Sequence, residues 1–260
     1  MTVCISSIGR YDSGEEVIVL GADKMLTNSY LEAQFEHPIS KYKQIGNRYV
    51  CMLAGNPLIF DEIIKVVSIN DEYDEAMHKI QQNLLEMYYK RIERELLNTY
   101  KLTWSFVEEA LKSQIENQYM DELMKKILEY NLGTDIMLTG FSGKESMIST
   151  ISEARTDQFR EIGFAVIGSG YTEATNTLLF QRQSRDTLLQ ETIYNVYKAK
   201  RNAEVSSGVG KESDFLIHTK DRIKSVGKED LDILGNIYEE ELEYGKKHKY
   251  LDELVILKGN

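Results

Sequence analysis

The sequence predicts an α+β fold: antiparallel sheets with helices layered outside them. Two observations carry this. Hydrophobic periodicity passes from strand-like to helical and back in long blocks, not in a regular strand–helix alternation. The strand-like runs follow one another through short turns rich in Gly, Asp and Ser. No Pro/Gly/Ser-rich linker divides the 260 residues and 42% of them are hydrophobic, so a single domain over 1–260 is expected.

Taken in order, "TVCISSI", "EEVIVLGAD" and "RYVCMLAG" read as strands, rich in Val, Ile and Cys with Gly, Asp or Asn at their borders. "GRYDSGEE" between the first two has the composition of a hairpin loop, which pairs the N-terminus into a sheet from its first residues. After "AGNP" the period changes, with Leu58, Ile59, Ile63, Val66 and Val67 at helical spacing. A long helical hairpin is expected over 74–130. Ile80, Leu84, Met87, Tyr88 and Ile92 form one apolar stripe, and Phe106, Ala110, Leu111, Ile115 and Met124 form the other. Polar "NTYK" at 98–101 marks the break between two antiparallel helices. Strands return in "TDIMLTGFSG", "SMISTIS" and "GFAVIGSG". Two helices then follow over 171–180 and about 186–204, a strand at "SDFLIHT", and a final acidic helix over about 228–244.

Composition removes several function classes. The chain has 31 basic against 42 acidic residues, a formal charge of −11. That disfavours nucleic acid and anionic membrane surfaces as partners, both of which are held by Lys and Arg. Cys4 and Cys51 lie in apolar strands and read as buried free thiols of a reducing compartment. No basic segment precedes a long apolar one, so neither a signal peptide nor a membrane span is expected and a cytoplasmic location is. His37, His78, His218 and His248 have no His or Cys partner at metal-ligand spacing, and His37 beside Pro38 reads as a turn. No G-x-S-x-G nucleophile elbow is present.

Two glycine stretches imitate nucleotide motifs. "SSGVGKES" has the Gly-Lys pair of a P-loop, but Val205 stands at its first Gly and Glu212 at its Ser/Thr. "GSGYTE" begins like the dinucleotide fingerprint, but Glu173 replaces its third Gly, where the helix must approach closely. Both read as tight turns. No metal or organic cofactor is implied.

What remains is a set of residues at strand ends: Thr2, Asp23, Lys41 and Gly55. A threonine hydroxyl is a poor nucleophile until a base takes its proton. With Met1 removed, Thr2 carries an α-amine, a group that ordinarily titrates at about 7.7–8.0, as a base tethered to the nucleophile itself. A lysine beside the hydroxyl favours its ionised form, an aspartate orients that lysine, and a glycine N–H can face a developing oxyanion.

These residues resemble the proteasome-type N-terminal nucleophile (Ntn) hydrolases, the superfamily of 20S proteasome β-subunits and the bacterial HslV peptidase. "TVCISSI…EEVIVLGADKMLT" is similar to the family's opening Thr and Asp-bearing turn, and "SKYKQIGNRYVCMLAG" to its Lys-to-Ala-Gly element. "AVIGSG" and "SSGVGKESDFLI" resemble two later turns, so the likeness spans about 2–67 and 134–218. It implies a four-layer αββα sandwich of two antiparallel sheets. It also implies Thr2 as nucleophile and base, Lys41 as its ammonium partner and Asp23 as the group orienting Lys41. Gly55 would supply the oxyanion N–H, and Ser169 and Ser207 would bond around the amine. Lys43 competes with Lys41, but its interval to "AG" is two residues shorter than the family's. Two departures stand out: Glu204 where the family places Asp, and Val3 where many relatives carry Thr.

The implied activity is hydrolysis of peptide amide bonds through a Thr2 nucleophile that an aminopeptidase exposes by removing Met1. The alternatives are a non-catalytic ring or assembly protein of the same fold, or an amidase acting on a small-molecule amide. A homo-oligomer, ring or dimer, is expected by the same resemblance.

Overall fold

Every residue of the first strand but its last is buried, which explains why an antiparallel strand here reads as an apolar run instead of alternating. Both of its faces are covered. In the computed structural model, which describes residues 2–28, 33–36, 39–113 and 118–246, β1 (Cys4–Arg10) and β2 (Glu16–Asp23) form the predicted hairpin. A ribbon of β3 (Met25–Asn28) and β4 (Ala33–Glu36) follows, then the hairpin β5 (Tyr42–Ile45) and β6 (Tyr49–Ala54). The helices α1 (Phe60–Ile64), α2 (Tyr73–Ile92), α3 (Trp104–Lys112) and α4 (Gln118–Glu129) come next. After them lie β7 (Asp135–Ser142), β8 (Glu145–Ile151), β9 (Thr156–Gln158) and β10 (Phe164–Ile167). The chain continues through α5 (Tyr171–Phe180), α6 (Leu189–Ala203), β11 (Ser213–His218), β12 (Ile223–Ser225) and α7 (Lys228–Lys246).

Two five-stranded antiparallel sheets result, ordered β10-β1-β2-β11-β12 and β5-β6-β7-β8-β9. They face each other across a core of Cys4, Ile8, Ile18 and Leu20 from one sheet and Val50, Met52, Met137 and Ile148 from the other. The outer face of the first sheet packs Val3, Ile5 and Val19 against α5, α6 and α7 through Ala174, Val196, Ala199 and Tyr238. The outer face of the second packs Tyr49, Cys51 and Leu53 against α1 and α2 through Ile63, Ile80 and Leu84. The architecture is α–β–β–α.

The helical insertion differs from the expected pair. α2 runs on through a π-turn at Glu93–Leu97 and a 3₁₀ turn at Asn98–Tyr100, and ends where Lys101 turns left-handed at φ 56°. The break falls at "NTYK", but two further helices follow it, not one. Their shared core is Ile92, Leu97, Val107, Leu123 and Ile127, while Phe106 and Leu111 are exposed. The predicted stripe is therefore one position off along α3, because Phe106 and Val107 fit the same 3.6-residue period. Leu58 is also exposed, beyond Ile59 and Ile63, which are buried. Short strands β5, β9 and β12, of three or four residues, carry too few positions for a period to register. Met1, His37, Pro38, Ile115 and His248 lie outside the described residues. No helix among the described residues is long and apolar enough to cross a membrane.

His218 ends β11 fully buried, edge-on to Phe141, donating from Nε2 to the Asn47 carbonyl at 3.2 Å, while Nδ1 has no partner among the described residues. Burial lowers its pKa from 6.5 to about 4, with the Asn47 bond opposing. The unfolded chain then binds a proton that the folded one refuses, so stability is full above about pH 6.5 and falls as pH drops toward 4. The loss at pH 4 is about 3 kcal/mol from this group. Urea unfolding of the wild type and His218→Gln at pH 7 and 4.5 checks this. The wild type should lose more stability over that interval, by about 2–3 kcal/mol.

Candidate active site

Asp23 is the last residue of β2, one step beyond the Cys4–Ala22 pair of the first hairpin. Its N–H donates to the Val3 carbonyl at 3.2 Å, which carries the ladder to the start of the chain. The carboxylate is thereby aimed back across the end of β1, with no solvent exposure. Oδ1 accepts from Thr2 Oγ1 at 2.6 Å, from the Val3 N–H at 2.8 Å and from Lys41 Nζ at 2.8 Å. Oδ2 accepts from the N–H groups of Met25 and Gly210, each at 3.0 Å. Five donors converge on this one carboxylate.

Lys41 enters from the opposite sheet. Its carbonyl accepts from the Leu53 N–H at 2.9 Å, extending the β5–β6 ladder by one residue and fixing the backbone from which its side chain reaches Thr2. Nζ donates to both Thr2 Oγ1 and Asp23 Oδ1. Hydroxyl, carboxylate and ammonium thus form one closed triangle, buried between the sheets. Lys43, two residues on, turns away to Asp61 and lies 5.3 Å from the centre of the Phe60 ring.

The far side of Thr2 is held by the turn between β10 and α5. Ser169 Oγ accepts from the Thr2 nitrogen at 3.0 Å and lies 3.2 Å from the Thr2 carbonyl and 3.4 Å from that of Ser207. Gly170 N–H donates to the same Thr2 carbonyl at 3.2 Å. Gly168 makes the approach possible. At φ +97° it occupies left-handed backbone, and a Cβ there would lie 2.3 Å from the Thr2 oxygen.

Gly55 follows β6 with φ +127°, its backbone pressed so close to Gly133 that a Cβ would sit 2.2 Å from that carbonyl oxygen. Leu53, two residues earlier, accepts a hydrogen bond from Cys4 Sγ at 3.6 Å, so the end of β6 and the start of β1 are neighbours. Among the described residues no hydrogen bond joins Gly55 to Thr2. Ser207 reaches the cluster through its carbonyl. Glu204 does not reach the Thr2 nitrogen: it caps the end of α6 and pairs with Lys200 at 2.7 Å and Arg201 at 3.4 Å. The longer side chain that replaces the family's Asp has found nearer cations.

Lys200 is a residue of this site that motif reading misses. It is a fully buried lysine on α6, bonded to Glu204 Oε1 and, at 2.5 Å, to the Lys211 carbonyl. Desolvation lowers its pKa, opposed by Glu204 and by the field of Asp23. It fastens the segment whose Gly210 N–H closes on Asp23. A signal is present in the sequence: Lys200 continues the stripe of Thr192, Val196, Ala199 and Ala203, where a solvated lysine would break the pattern. Cys4 is excluded as a rival nucleophile, because burial pushes its thiol up to about 12, more than the nearby Lys41 pulls it down.

No protein-family model matches the chain, and no curated protein is similar to it in sequence. Solved structures are. The Gly-1 mutant of Anbu from Hyphomicrobium sp. strain MC1 matches over 95% of this chain and 97% of its own, at 16% identity and a TM-score of 0.59. Anbu (ancestral beta-subunit) from Yersinia bercovieri matches over the same shares at 13% identity and a TM-score of 0.62. The fold is the proteasome-like fold of Anbu. A second Hyphomicrobium Anbu structure agrees, with 17% identity and a TM-score of 0.60. At such identities the likeness to Anbu concerns the path of the backbone alone.

Replacing Lys200 by Met should cost about 3 kcal/mol, since Glu204 and the Lys211 carbonyl lose their buried partner. The double variant Lys200→Met/Glu204→Met should recover part of that loss in denaturant unfolding, and a double variant no more stable than the single one contradicts the pairing. Gly168→Ala should destabilise by about 1–3 kcal/mol through left-handed strain alone, with the collision against Thr2 added, measured as a lowered melting temperature.

Proposed function

We propose that the protein is a proteasome-like threonine hydrolase that cleaves amide bonds in peptides, with Thr2 as nucleophile once Met1 is removed. The observation that carries this is the buried triangle of Thr2 Oγ1, Asp23 Oδ1 and Lys41 Nζ, with Ser169 Oγ on the Thr2 nitrogen. A structural threonine at a strand end has no need of a buried lysine and a five-fold coordinated aspartate. Removal of Met1 converts the Thr2 nitrogen from an amide into an amine, still within reach of Ser169.

The chemistry then follows from charge. The amine takes the Oγ1 proton as the oxygen attacks the substrate carbonyl, directly or through one water. The Lys41 ammonium stabilises the alkoxide character of Oγ1, and Asp23 keeps Lys41 aimed there. The carbonyl oxygen becomes an oxyanion, and the Gly55 N–H is the donor assigned to it, a contribution of about 2.7–4 kcal/mol in comparable sites. The ammonium formed on Thr2 returns its proton to the leaving nitrogen, which departs and leaves an acyl-Thr2 ester. Water, deprotonated by the freed amine, cleaves that ester and restores the hydroxyl. Ser169 orients the amine throughout, and Glu204 acts at a distance by holding Lys200.

Self-association is proposed on the likeness to Anbu, which from Yersinia is described as an ancestral beta-subunit. A reducing, cytoplasmic setting is proposed on the two cysteines, both free and fully buried.

Intact mass and N-terminal sequencing of the protein from its native host should show loss of Met1, and retained Met1 would falsify the nucleophile assignment. On a panel of peptide amides, Lys41→Ala should lower kcat by about 10³-fold or more with the fold intact by circular dichroism. Full activity in that variant sinks the mechanism.

A further inference from the structure

A cleft of about 250 Å³ opens where the two sheets end together. On one wall β10 ends at Ile167, which pairs with Cys4, and Gly168 then lies against Thr2 itself. On the other wall β7 begins at Asp135, which pairs with Ala54, the residue before Gly55. The cleft is thus lined on one rim by Gly168, which abuts Thr2, and on the other by Asp135, whose strand partner Ala54 precedes Gly55. Its volume is below the roughly 300–1,000 Å³ of small-molecule pockets, the size for one side chain rather than a whole ligand.

Which side of the scissile bond occupies it follows from the proton inventory of the proposed mechanism. The leaving nitrogen must receive its proton from the Thr2 amine. The Thr2 nitrogen is held by Ser169, and two residues close to Ser169 in the chain, Gly168 and Tyr171, line the cleft. The cleft thus receives the leaving-group side of the substrate.

Its charge is asymmetric. Arg155 is engaged by Asp157, Nε to Oδ2 at 2.9 Å, so that pair is internally compensated. The Asp135 carboxylate has no hydrogen-bond or ion-pair partner among the described residues, and its side chain opens to solvent in the cleft. Desolvation raises its carboxyl above the usual value, Glu153 adds to the effect and Arg155 opposes it. An incoming cation would offset the negative field of Glu153 and pair with the carboxylate. Ile167, Phe159 and Tyr171 supply an apolar wall along which an alkyl stem can lie while its charged end reaches the carboxylate.

We infer that this cleft is a leaving-side subsite selecting a lysine or arginine side chain, with Asp135 as the residue that reads its charge. The inference rests on the hydrolase reading above and adds the substrate class to it. The overall charge of −11 draws basic peptides toward the protein in the same sense.

The test uses the full chain lacking Met1 and matched quenched peptides that differ only in the first residue on the leaving side: Lys, Arg, norleucine or Glu. The kcat/KM for Lys and Arg should exceed that for norleucine by about tenfold, and Glu should be the poorest. Asp135→Asn, nearly isosteric, should bring the Lys-to-norleucine ratio to about one. Asp135→Lys should shift the preference toward Glu. Ratios taken within one variant cancel any difference in the amount of folded protein. Thr2-dependent cleavage without a basic preference, or a preference that survives Asp135→Asn, overturns the subsite while leaving the hydrolase reading in place. If none of the peptides is cleaved and Thr2 takes up no threonine-directed electrophile, the hydrolase reading fails and the subsite fails with it.

Discussion

One carboxylate organises the end of this molecule. Asp23 accepts from a hydroxyl, an ammonium and three backbone N–H groups, drawn from the chain start, the adjoining turn, the opposite sheet and the segment before β11. An isolated buried carboxylate would be expensive, and its full complement of donors is what makes this one tolerable. The dependence runs in both directions. Remove any donor and the charge is under-compensated; remove the charge and four chain segments lose the point at which they meet.

The sandwich is the device that brings those segments together. Thr2 and Asp23 belong to one sheet, while Lys41 leads into the other, so the triangle exists only where the sheets face each other across the inner core. It sits at the strand ends, rather than within the core, with the Asp23 carboxylate and the Lys41 ammonium buried. Gly168 and Gly55 serve the same geometry from opposite walls, each adopting left-handed backbone so that main chain can come closer than a Cβ would permit.

A second tier lies behind the first. Lys200, buried on α6, ties Glu204 and the Lys211 carbonyl, and the neighbouring Gly210 N–H closes on Asp23. This is a helix-to-loop fastening that no short motif would reveal, and it gives Glu204 a place in the site other than at the amine. The helical insertion is separate in kind. Its last helices share a small core of their own, beginning at Ile92, and among the described residues none of them bonds to the cluster around Thr2.

The layers of the sandwich were legible before any contact was known. Strand blocks and helix blocks are local properties, because a period of two or of 3.6 is written in consecutive residues. The long strands β1, β2, β6, β7 and β8 and the helices α2, α5 and α6 could be read for that reason. Where two adjacent apolar residues served one period equally well, as with Phe106 and Val107, only packing chose the buried one. The Thr2, Asp23 and Lys41 set was legible because each stands at a strand end in a recognisable order. It took the folded molecule to decide that Glu204 is diverted to Lys200 and that Asp135 lines the cleft opposite Gly168. The cleft joins residues on separate elements, and its geometry depends on how two sheets are set face to face, a quantity no run of neighbouring residues encodes.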